Sequence, residues 1–200
     1  MTDFLIATNN AHKVEEFKRI LLPLGINVIS AKEAGVDLGD VVEDGTTFAE
    51  NAKIKALSAF RKSGLPSVAD DSGLCVDALS GDPGIYSARF GGEDIPQTER
   101  NLLLLQKIRE SGSDTRTARF VSSICLVFSE EDIIAVEGIC EGSIADKPMG
   151  EGGFGYDPLF IYEDGRCFGE ITGDEKDSVS HRGRSLRALR DELLKRKDVL

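Results

Sequence analysis

A short polar segment, residues 8–13, precedes a run of apolar residues at helical spacing, and its residue types suit an anion. Free amides at a helix start and the positive end of the helix dipole both favour phosphate there. Two interpretations are open: an asparagine only caps the helix, or the segment also binds an anionic substrate. Lys13 opposes the dipole within the first turn, which favours an anionic partner. The candidate phosphate-binding residues are Thr8, Asn9, Asn10, Ala11, His12 and Lys13.

Carboxylates at two places in the chain are suited to a divalent cation. Glu43 and Asp44 lie in a predicted loop, and Asp70 and Asp71 lie where a predicted strand, residues 67–70, meets a predicted turn, residues 71–73. Mg²⁺ prefers oxygen ligands and keeps several waters, so few such side chains are needed. The alternative is that these aspartates only form the turn. Because adjacent strand residues point to opposite faces, at most one of Asp70 and Asp71 enters a given site.

A glycine-rich segment, residues 150–158, contains the letters G-x-G-x-x-G of the dinucleotide fingerprint. That fingerprint requires a strand before it and a helix after it. Here Pro148 precedes the glycines and a predicted strand, residues 158–162, follows, so we reject a dinucleotide site. A flexible loop that carries Phe154 and Tyr156 instead suits close backbone approach to a ligand and stacking on a base.

Cations gather again near the predicted last helix. Lys176 is followed by the segment Ser180-His181-Arg182-Gly183, where helix amides add further donors. His181 is either a simple helix-start residue or part of a recognition site. Neither Ser72 nor Ser180 lies in a G-x-S-x-G elbow, so we do not expect a serine nucleophile. The chain also lacks the G-x-x-x-x-G-K-[ST] loop of P-loop NTPases.

The composition limits the class of partner. A net charge of −11 argues against a general DNA- or RNA-binding protein, which presents a basic face. A small anionic substrate is compatible with it, because screening within about 8 Å lets a local cationic cluster dominate a pocket. The widely separated cysteines form no C-x-x-C pair and indicate reduced thiols. With no apolar run near the length of a membrane span and no signal-peptide pattern, we expect a cytoplasmic protein that binds neither nucleic acid nor membrane.

The remaining pattern alternates strands and helices and predicts one α/β domain, residues 1–200, with a mixed sheet. Predicted strands cover residues 4–8, 26–30, 67–70, 117–128, 133–144, 158–162 and 166–170. Predicted helices cover residues 13–22, 47–63, 96–111 and 182–195. The second of these helices begins with a capping box, residues 47–50.

These motifs together resemble the inosine triphosphate pyrophosphatase family, house-cleaning enzymes also called dITP/XTP pyrophosphatases. The resemblance covers nearly the whole chain and shows no departure at a matched functional position. The matching segments are residues 8–13, Thr47-Phe48 with Glu50-Asn51-Ala52, residues 69–74, residues 83–89, residues 153–158 and residues 180–183.

The resemblance implies a fold, an assembly and a reaction. The fold would be an elongated, two-lobed α/β structure with a long mixed sheet flanked by helices and a substrate cleft between the lobes. The protein would form a homodimer and hydrolyse abnormal purine nucleoside triphosphates (ITP, dITP, XTP) to the monophosphate and pyrophosphate. Attack would occur at the α-phosphorus with Mg²⁺ as cofactor and no covalent intermediate.

The resemblance also assigns roles to residues. Residues 8–13 and Lys55 would hold the triphosphate, with Arg89 as a further phosphate contact. Glu43 and Asp71 would bind Mg²⁺, Asp71 would also activate the attacking water, and Ser72 would contact the substrate beside it. Phe154, Gly155, Tyr156 and Asp157 would line the nucleoside pocket. Lys176, His181 and Arg182 would read the base.

Cationic donors such as Lys176 and Arg182 would favour the 6-oxo group of hypoxanthine and xanthine over the amino group of adenine. Guanine shares the 6-oxo group, so its rejection needs a different feature. Two other functions are open. One is a Maf-like pyrophosphatase for modified or pyrimidine triphosphates, and the other is a non-catalytic nucleotide-binding module. A Nudix hydrolase is excluded, because its G-x₅-E-x₇-R-E-x-x-E-E helix is absent.

Overall fold

The computed structural model describes residues 2–39 and 41–196, and these residues form a six-stranded sheet with packed helices. The strands are β1 (Thr2–Ile6), β2 (Ile26–Ser30), β3 (Ser67–Val76), β4 (Thr117–Val127), β5 (Ile133–Ile144) and β6 (Phe160–Tyr162). The helices are α1 (Ala11–Leu21), α2 (Phe48–Ser63), α3 (Gln97–Glu110), α4 (Gly173–Val179) and α5 (His181–Leu194). Among these described residues, no helix is both long and apolar enough to cross a membrane.

The sheet has the strand order β2-β1-β3-β4-β5-β6. Strand β1 runs parallel to β2, with Phe4 opposite Val28, and parallel to β3, with Leu5 opposite Ser67. At the other edge, β6 is antiparallel to β5. The predicted α/β class with a mixed sheet is therefore confirmed.

The chain divides into two compact units. The first comprises Met1–Asp71, Ser122–Gly138 and His181–Leu200, and the second comprises Ser72–Val121 and Ile139–Ser180. In the first unit the alternation of strand side chains separates two cores. Phe4, Ile6 and Val68 pack with apolar residues of α1 and α5 on one face. Leu5 and Ala69 pack with the alanines of α2 on the other face.

The second unit has its own, largely aromatic core. Phe120, Phe160 and Phe168 lie with ring centroids 4.7 to 6.0 Å apart, within the range of favourable aromatic pairs. The apolar face of α3, with Leu104 and Ile108, packs into the same core. This packing fixes α3 against the strands of the second unit.

Local sequence signals account for the helix ends. Thr47 caps α2 by accepting a hydrogen bond from the Glu50 amide (3.1 Å), as predicted, and Gly64 ends it with a left-handed backbone (φ 69°). The second hydrogen bond of the predicted capping box, the one that the Glu50 side chain accepts, has a different donor. The Glu50 carboxylate accepts from the amide (2.7 Å) and hydroxyl (2.8 Å) of Thr46 instead of from the Thr47 amide.

Three elements differ from the predicted pattern. β3 does not turn at residues 71–73 but continues to Val76, because pairing within the sheet outweighs the turn preference of Asp, Ser and Gly. The predicted strand at residues 166–170 is a short 3₁₀ helix, Phe168–Glu170, with one isolated bridge from Cys167 to Ile161. Helix α4 was not predicted. Its N-terminus carries a full capping box between Thr172 and Glu175.

The first turn of α5 approaches β5 closely at Gly138. A Cβ atom at this position would lie 2.2 Å from the His181 carbonyl oxygen and 2.4 Å from the Ser185 amide nitrogen. Both contacts are with backbone, which cannot rotate away as a flexible side chain can. The absence of a side chain at Gly138 therefore sets the distance between the strand and the start of α5.

Candidate active site

The predicted phosphate segment forms the start of α1 in the first unit. The Asn10 side chain accepts from the amides of His12 (3.0 Å) and Lys13 (3.3 Å), so Asn10 caps α1, and phosphate binding by the segment stays a prediction. The Thr8 hydroxyl accepts from the Asn10 amide (3.2 Å). Asn9, Ala11 and His12 are exposed, and Thr8, Asn10 and Lys13 are half-buried. The segment is thus an ordered helix start with its polar side chains near the surface.

Lys13 has an anionic partner within the protein. Its Nζ lies 2.7 Å from Asp70 Oδ2, and the two side chains are 15% and 1% exposed. Burial lowers the pKa of Lys13, and the negative charge of Asp70 opposes that shift. The unfavourable position of a lysine in the first turn of α1 is therefore offset by a buried carboxylate from β3.

Asp70 is the centre of a buried charge network that we call the Asp70 network: Lys13, Glu16, Asp70 and Arg182. The Arg182 guanidinium donates from Nε (3.3 Å) and Nη2 (3.2 Å) to Asp70 Oδ2, and from Nη1 to Glu16. The other Asp70 oxygen accepts from the Ser122 hydroxyl (2.6 Å). Two cations thus face two carboxylates, and the formal charge of the network is zero.

The network holds Asp70 in its ionised form. Burial on its own would raise the pKa of Asp70, but the charges of Arg182 and Lys13 outweigh it and hold the pKa well below its usual range. Arg182 is only 2% exposed. In this structure its hydrogen bonds with Asp70 and Glu16 join β3, α1 and α5. Its assignment as a residue that reads the base stays a prediction.

The neighbouring carboxylate, Asp71, belongs to a different cluster on the opposite face of β3. Lys55 Nζ of α2 lies 2.6 Å from Asp71 Oδ1 and 2.9 Å from Glu43 Oε2. The structure thereby brings together the predicted metal-binding pair and the predicted phosphate lysine. The opposite orientation of Asp70 and Asp71 agrees with the alternation of side chains along a strand.

Asp71 has one oxygen that remains available. Its side chain is 12% exposed, and among the described residues no hydrogen-bond partner is found for the buried Oδ2. Burial raises the pKa of Asp71, partly offset by the charge and hydrogen bond of Lys55. In the part of the chain that the structure describes, no three His, Cys, Asp or Glu side chains group as a metal site. Any cation here would rest on the pair Glu43 and Asp71.

The predicted nucleoside-pocket residues 154–157 and the predicted base-reading residue Lys176 lie in the second unit. Asp157 Oδ2 accepts from the Phe154 amide (2.8 Å) and from Lys176 Nζ (2.6 Å). Lys176 Nζ also lies 4.4 Å from the centroid of the Phe154 ring, a cation–π contact. The side chains of Asp157 and Lys176 are 3% and 5% exposed. Asp157 therefore orients Phe154 and Lys176 from inside the protein.

The other predicted site residues are placed as follows. The Tyr156 hydroxyl donates to the Ser87 carbonyl (3.0 Å) and is buried, so in this structure it anchors the loop. Gly155 has a left-handed backbone (φ 62°). Ser72 is half-buried on β3 in the second unit. His181 is the first residue of α5 in the first unit and is buried.

Sequence reasoning missed several residues that support these clusters. Glu16 lies one turn after Lys13 on α1, and its spacing gives no sign that it meets Arg182 across the fold. Ser122 lies within an apolar run and Asn101 directly precedes one. Asn101 of α3 donates to the Gly155 carbonyl (3.2 Å), and only the polarity of a buried helix position hinted at such a role.

Comparison with known proteins gives one consistent answer. The model of the Ham1 family matches residues 4–192. A dITP/XTP pyrophosphatase of Clostridium perfringens is 45% identical over 96% of this chain and 98% of its own length. A dITP/XTP pyrophosphatase of Thermus thermophilus is 46% identical over 92% of this chain and 88% of its own. A HAM1 protein structure from Coxiella burnetii superposes with a TM-score of 0.90 at 37% identity, covering 98% of this chain and 100% of that one.

Proposed function

Because the chain belongs to the Ham1 family, we propose that it hydrolyses abnormal purine nucleoside triphosphates (ITP, dITP and XTP) to the monophosphate and pyrophosphate. The names of the relatives support this reaction and substrate class. The structural observation that carries the proposal is the group of Glu43, Lys55 and Asp71, which we call the Asp71 cluster. It combines a buried carboxylate with an available oxygen, a second carboxylate and a lysine.

We propose Mg²⁺ as the cofactor, held by Glu43 and Asp71. The residues fit this ion, because both offer carboxylate oxygens and the buried Asp71 Oδ2 lacks a hydrogen-bond partner among the described residues. When bound, Mg²⁺ neutralises negative charge on the triphosphate. Lys55, already between the two carboxylates, contributes a further positive charge at the same place.

The protein's own groups then perform the hydrolysis. The segment 8–13 at the start of α1 seats the phosphates with its polar side chains and the helix dipole. Asp71 orients or deprotonates the attacking water. Ser72 contacts the substrate beside it. Attack at the α-phosphorus releases pyrophosphate without a covalent intermediate.

The loop 153–157 with Lys176 forms the proposed nucleoside pocket. The Phe154 ring offers an apolar face for a purine, and Lys176 beside it offers a donor to a 6-oxo group. The family resemblance further implies that His181 and Arg182, at the start of α5, read the base. We further propose that residues 1–200 act as a single catalytic domain, that the protein forms a homodimer, and that it works in the cytoplasm without nucleic acid or membrane partners.

The decisive experiment measures pyrophosphate release from ITP, XTP, ATP and GTP, each with and without Mg²⁺. We expect release from ITP and XTP that depends on Mg²⁺, and much slower release from ATP and GTP. Release of orthophosphate would contradict the proposed reaction. Equal rates of pyrophosphate release with every base would contradict the proposed specificity and favour a Maf-like pyrophosphatase. Binding of ITP without turnover would favour a nucleotide-binding module.

A further inference from the structure

The loop 153–157 has little regular backbone structure of its own. Gly153 and Gly155, with left-handed φ values of 72° and 62°, flank Phe154. Glycine loses more conformational freedom on ordering than any other residue, so a loop with two of them needs contacts from outside to hold one shape. Inside the loop, Asp157 accepts from the Phe154 amide. Outside it, one contact comes from a side chain of α3.

That side chain is Asn101. Its Nδ2 donates to the Gly155 carbonyl (3.2 Å), and its Oδ1 accepts from Gln97 Nε2 (2.9 Å). A carbonyl oxygen only accepts hydrogen bonds, so Asn101 must turn its NH₂ group toward Gly155. Its oxygen then faces Gln97, one helical turn earlier, which must turn its own NH₂ group toward it. The Gly155 carbonyl therefore fixes the orientation of both amides.

The position of Asn101 makes this contact rigid. The residue is 5% exposed, and it lies on the helix whose apolar residues Leu104 and Ile108 pack in the core of the second unit. A buried amide without a hydrogen-bond partner costs free energy, which favours the hydrogen bond from Asn101 to the Gly155 carbonyl. A packed helix thereby transmits its rigidity to the backbone next to Phe154.

We propose that Asn101, oriented by Gln97, is a positioning residue for the nucleoside pocket. It holds the Gly155 carbonyl and so sets where the Phe154 ring lies relative to Lys176. This inference rests on the proposed function, since it takes the loop 153–157 as the part that contacts the purine. Because Asn101 acts through the Gly155 carbonyl, it affects substrate binding and base preference and leaves the hydrolytic step intact.

The test compares Asn101→Asp and Asn101→Leu with the unmodified enzyme. Asn101→Asp keeps the size and the bond from Gln97 but turns an acceptor toward the Gly155 carbonyl, and Asn101→Leu removes the amide. In both variants we expect KM for ITP to rise about 2- to 10-fold, the effect of one lost hydrogen bond. We expect kcat within about twofold of the unmodified value, and a lower ratio of kcat/KM for ITP over ATP. Gln97→Leu should change the same quantities in the same direction by a smaller factor.

The matched control is Gln106→Leu. Gln106 makes the same kind of bond to a residue four positions later on α3, Glu110 (2.7 Å), but on the exposed face. The Gln106→Leu variant should leave KM and base preference unchanged. A merely structural role for Asn101 would reduce the fraction of active enzyme, lowering kcat equally for all substrates and leaving KM and the ITP/ATP ratio unchanged. That result would overturn the inference.

The two proposals fail in different ways. If the unmodified protein neither hydrolyses ITP nor binds it in calorimetry, the proposed function is wrong and the inference falls with it. If the unmodified protein is active and both Asn101 variants keep its KM and base preference, only the inference is wrong.

Discussion

Replacing Asp70 with Asn should cost a large part of the protein's stability, because it removes one charge from a buried, neutral set. The carboxamide has the shape of the carboxylate, and its oxygen can still accept from Arg182 while its NH₂ group meets the Ser122 hydroxyl. What is lost is the negative charge. Lys13 and Arg182 then lose the carboxylate that they share, and of the four charges of the Asp70 network two positive charges and one negative charge remain.

The magnitude follows from burial. Removing one partner of a buried ion pair costs about 3–5 kcal/mol. Arg182 and Asp70 are 2% and 1% exposed, so water cannot replace the lost charge there. Lys13 is 15% exposed and can partly turn to solvent. We therefore expect a loss near the lower limit, about 3 kcal/mol in the free energy of unfolding at pH 7, measured by urea unfolding with linear extrapolation.

The matched control is Asp77→Asn. Asp77 also pairs with an arginine, Arg119 (3.0 Å), but both side chains are more than a third exposed. Solvent screening limits such a pair to below about 1 kcal/mol. If the two variants lose the same free energy within about 0.5 kcal/mol, the Asp70 network does not stabilise the fold in the way we describe.

The pH dependence of the free energy of unfolding tests whether Asp70 is ionised. The pKa of Asp70 is lower in the folded protein than in the unfolded chain, so the stability it contributes is complete above the ordinary value, about 3.9. That contribution is lost as the pH falls below this value toward the folded pKa. The difference between the unmodified protein and Asp70→Asn should be constant from pH 5 to 8 and should shrink below pH 4. A constant difference down to pH 2.5 would contradict the ionised assignment.

Three further predictions concern other features. Asp71→Asn should reduce pyrophosphate release about 10²- to 10⁴-fold, because a general base is removed, while the ITP dissociation constant measured by calorimetry should change much less. Equal losses in turnover and in ITP binding would mean that Asp71 only holds the bound complex together. Gly138→Ala should lower the free energy of unfolding by about 1–3 kcal/mol in urea titrations, because the added methyl group meets the α5 backbone. A loss below about 0.5 kcal/mol would show that α5 shifts freely. At pH 8 a thiol reagent should modify the half-buried Cys75 before the buried Cys125, because burial raises the pKa of Cys125 to about 11. Fast modification of Cys125 in the native protein would contradict its burial.

Periodicity predicted most of the elements, and it failed where tertiary contacts outweighed local preference. β2 and β5 have the predicted bounds, because their apolar alternation and flanking turn residues agree. β3 continues through residues 71–73, since pairing in the sheet stabilises a strand where the residue types favour a turn. Helix α4 is too short and too polar for a periodic signal, and only its capping box marked it.

The site was predictable as a set of residues and less so as a set of contacts. Glu43, Lys55 and Asp71 were all candidates, and the structure brings them together. The partners of Lys13 and Arg182 were not predictable, because Glu16 and Asp70 reach them from segments distant in the chain. Residue types indicate which chemistry is available, whereas the pairing of charges depends on how the elements pack.

The alternation of Asp70 and Asp71 along β3 has a consequence for which sequence changes the protein can tolerate. The two aspartates are adjacent in the chain, yet one serves the α1 and α5 face and the other the α2 face. A single residue inserted between Ser67 and Asp70 would place Asp70 on the α2 face and leave the Asp70 network without its carboxylate. A single deletion there would place Asp71 on the α1 and α5 face and leave the α2 face without its carboxylate. Insertions or deletions of one residue in this strand should therefore be far more damaging than most substitutions at the same positions. The length of this short stretch is as strongly constrained as its composition.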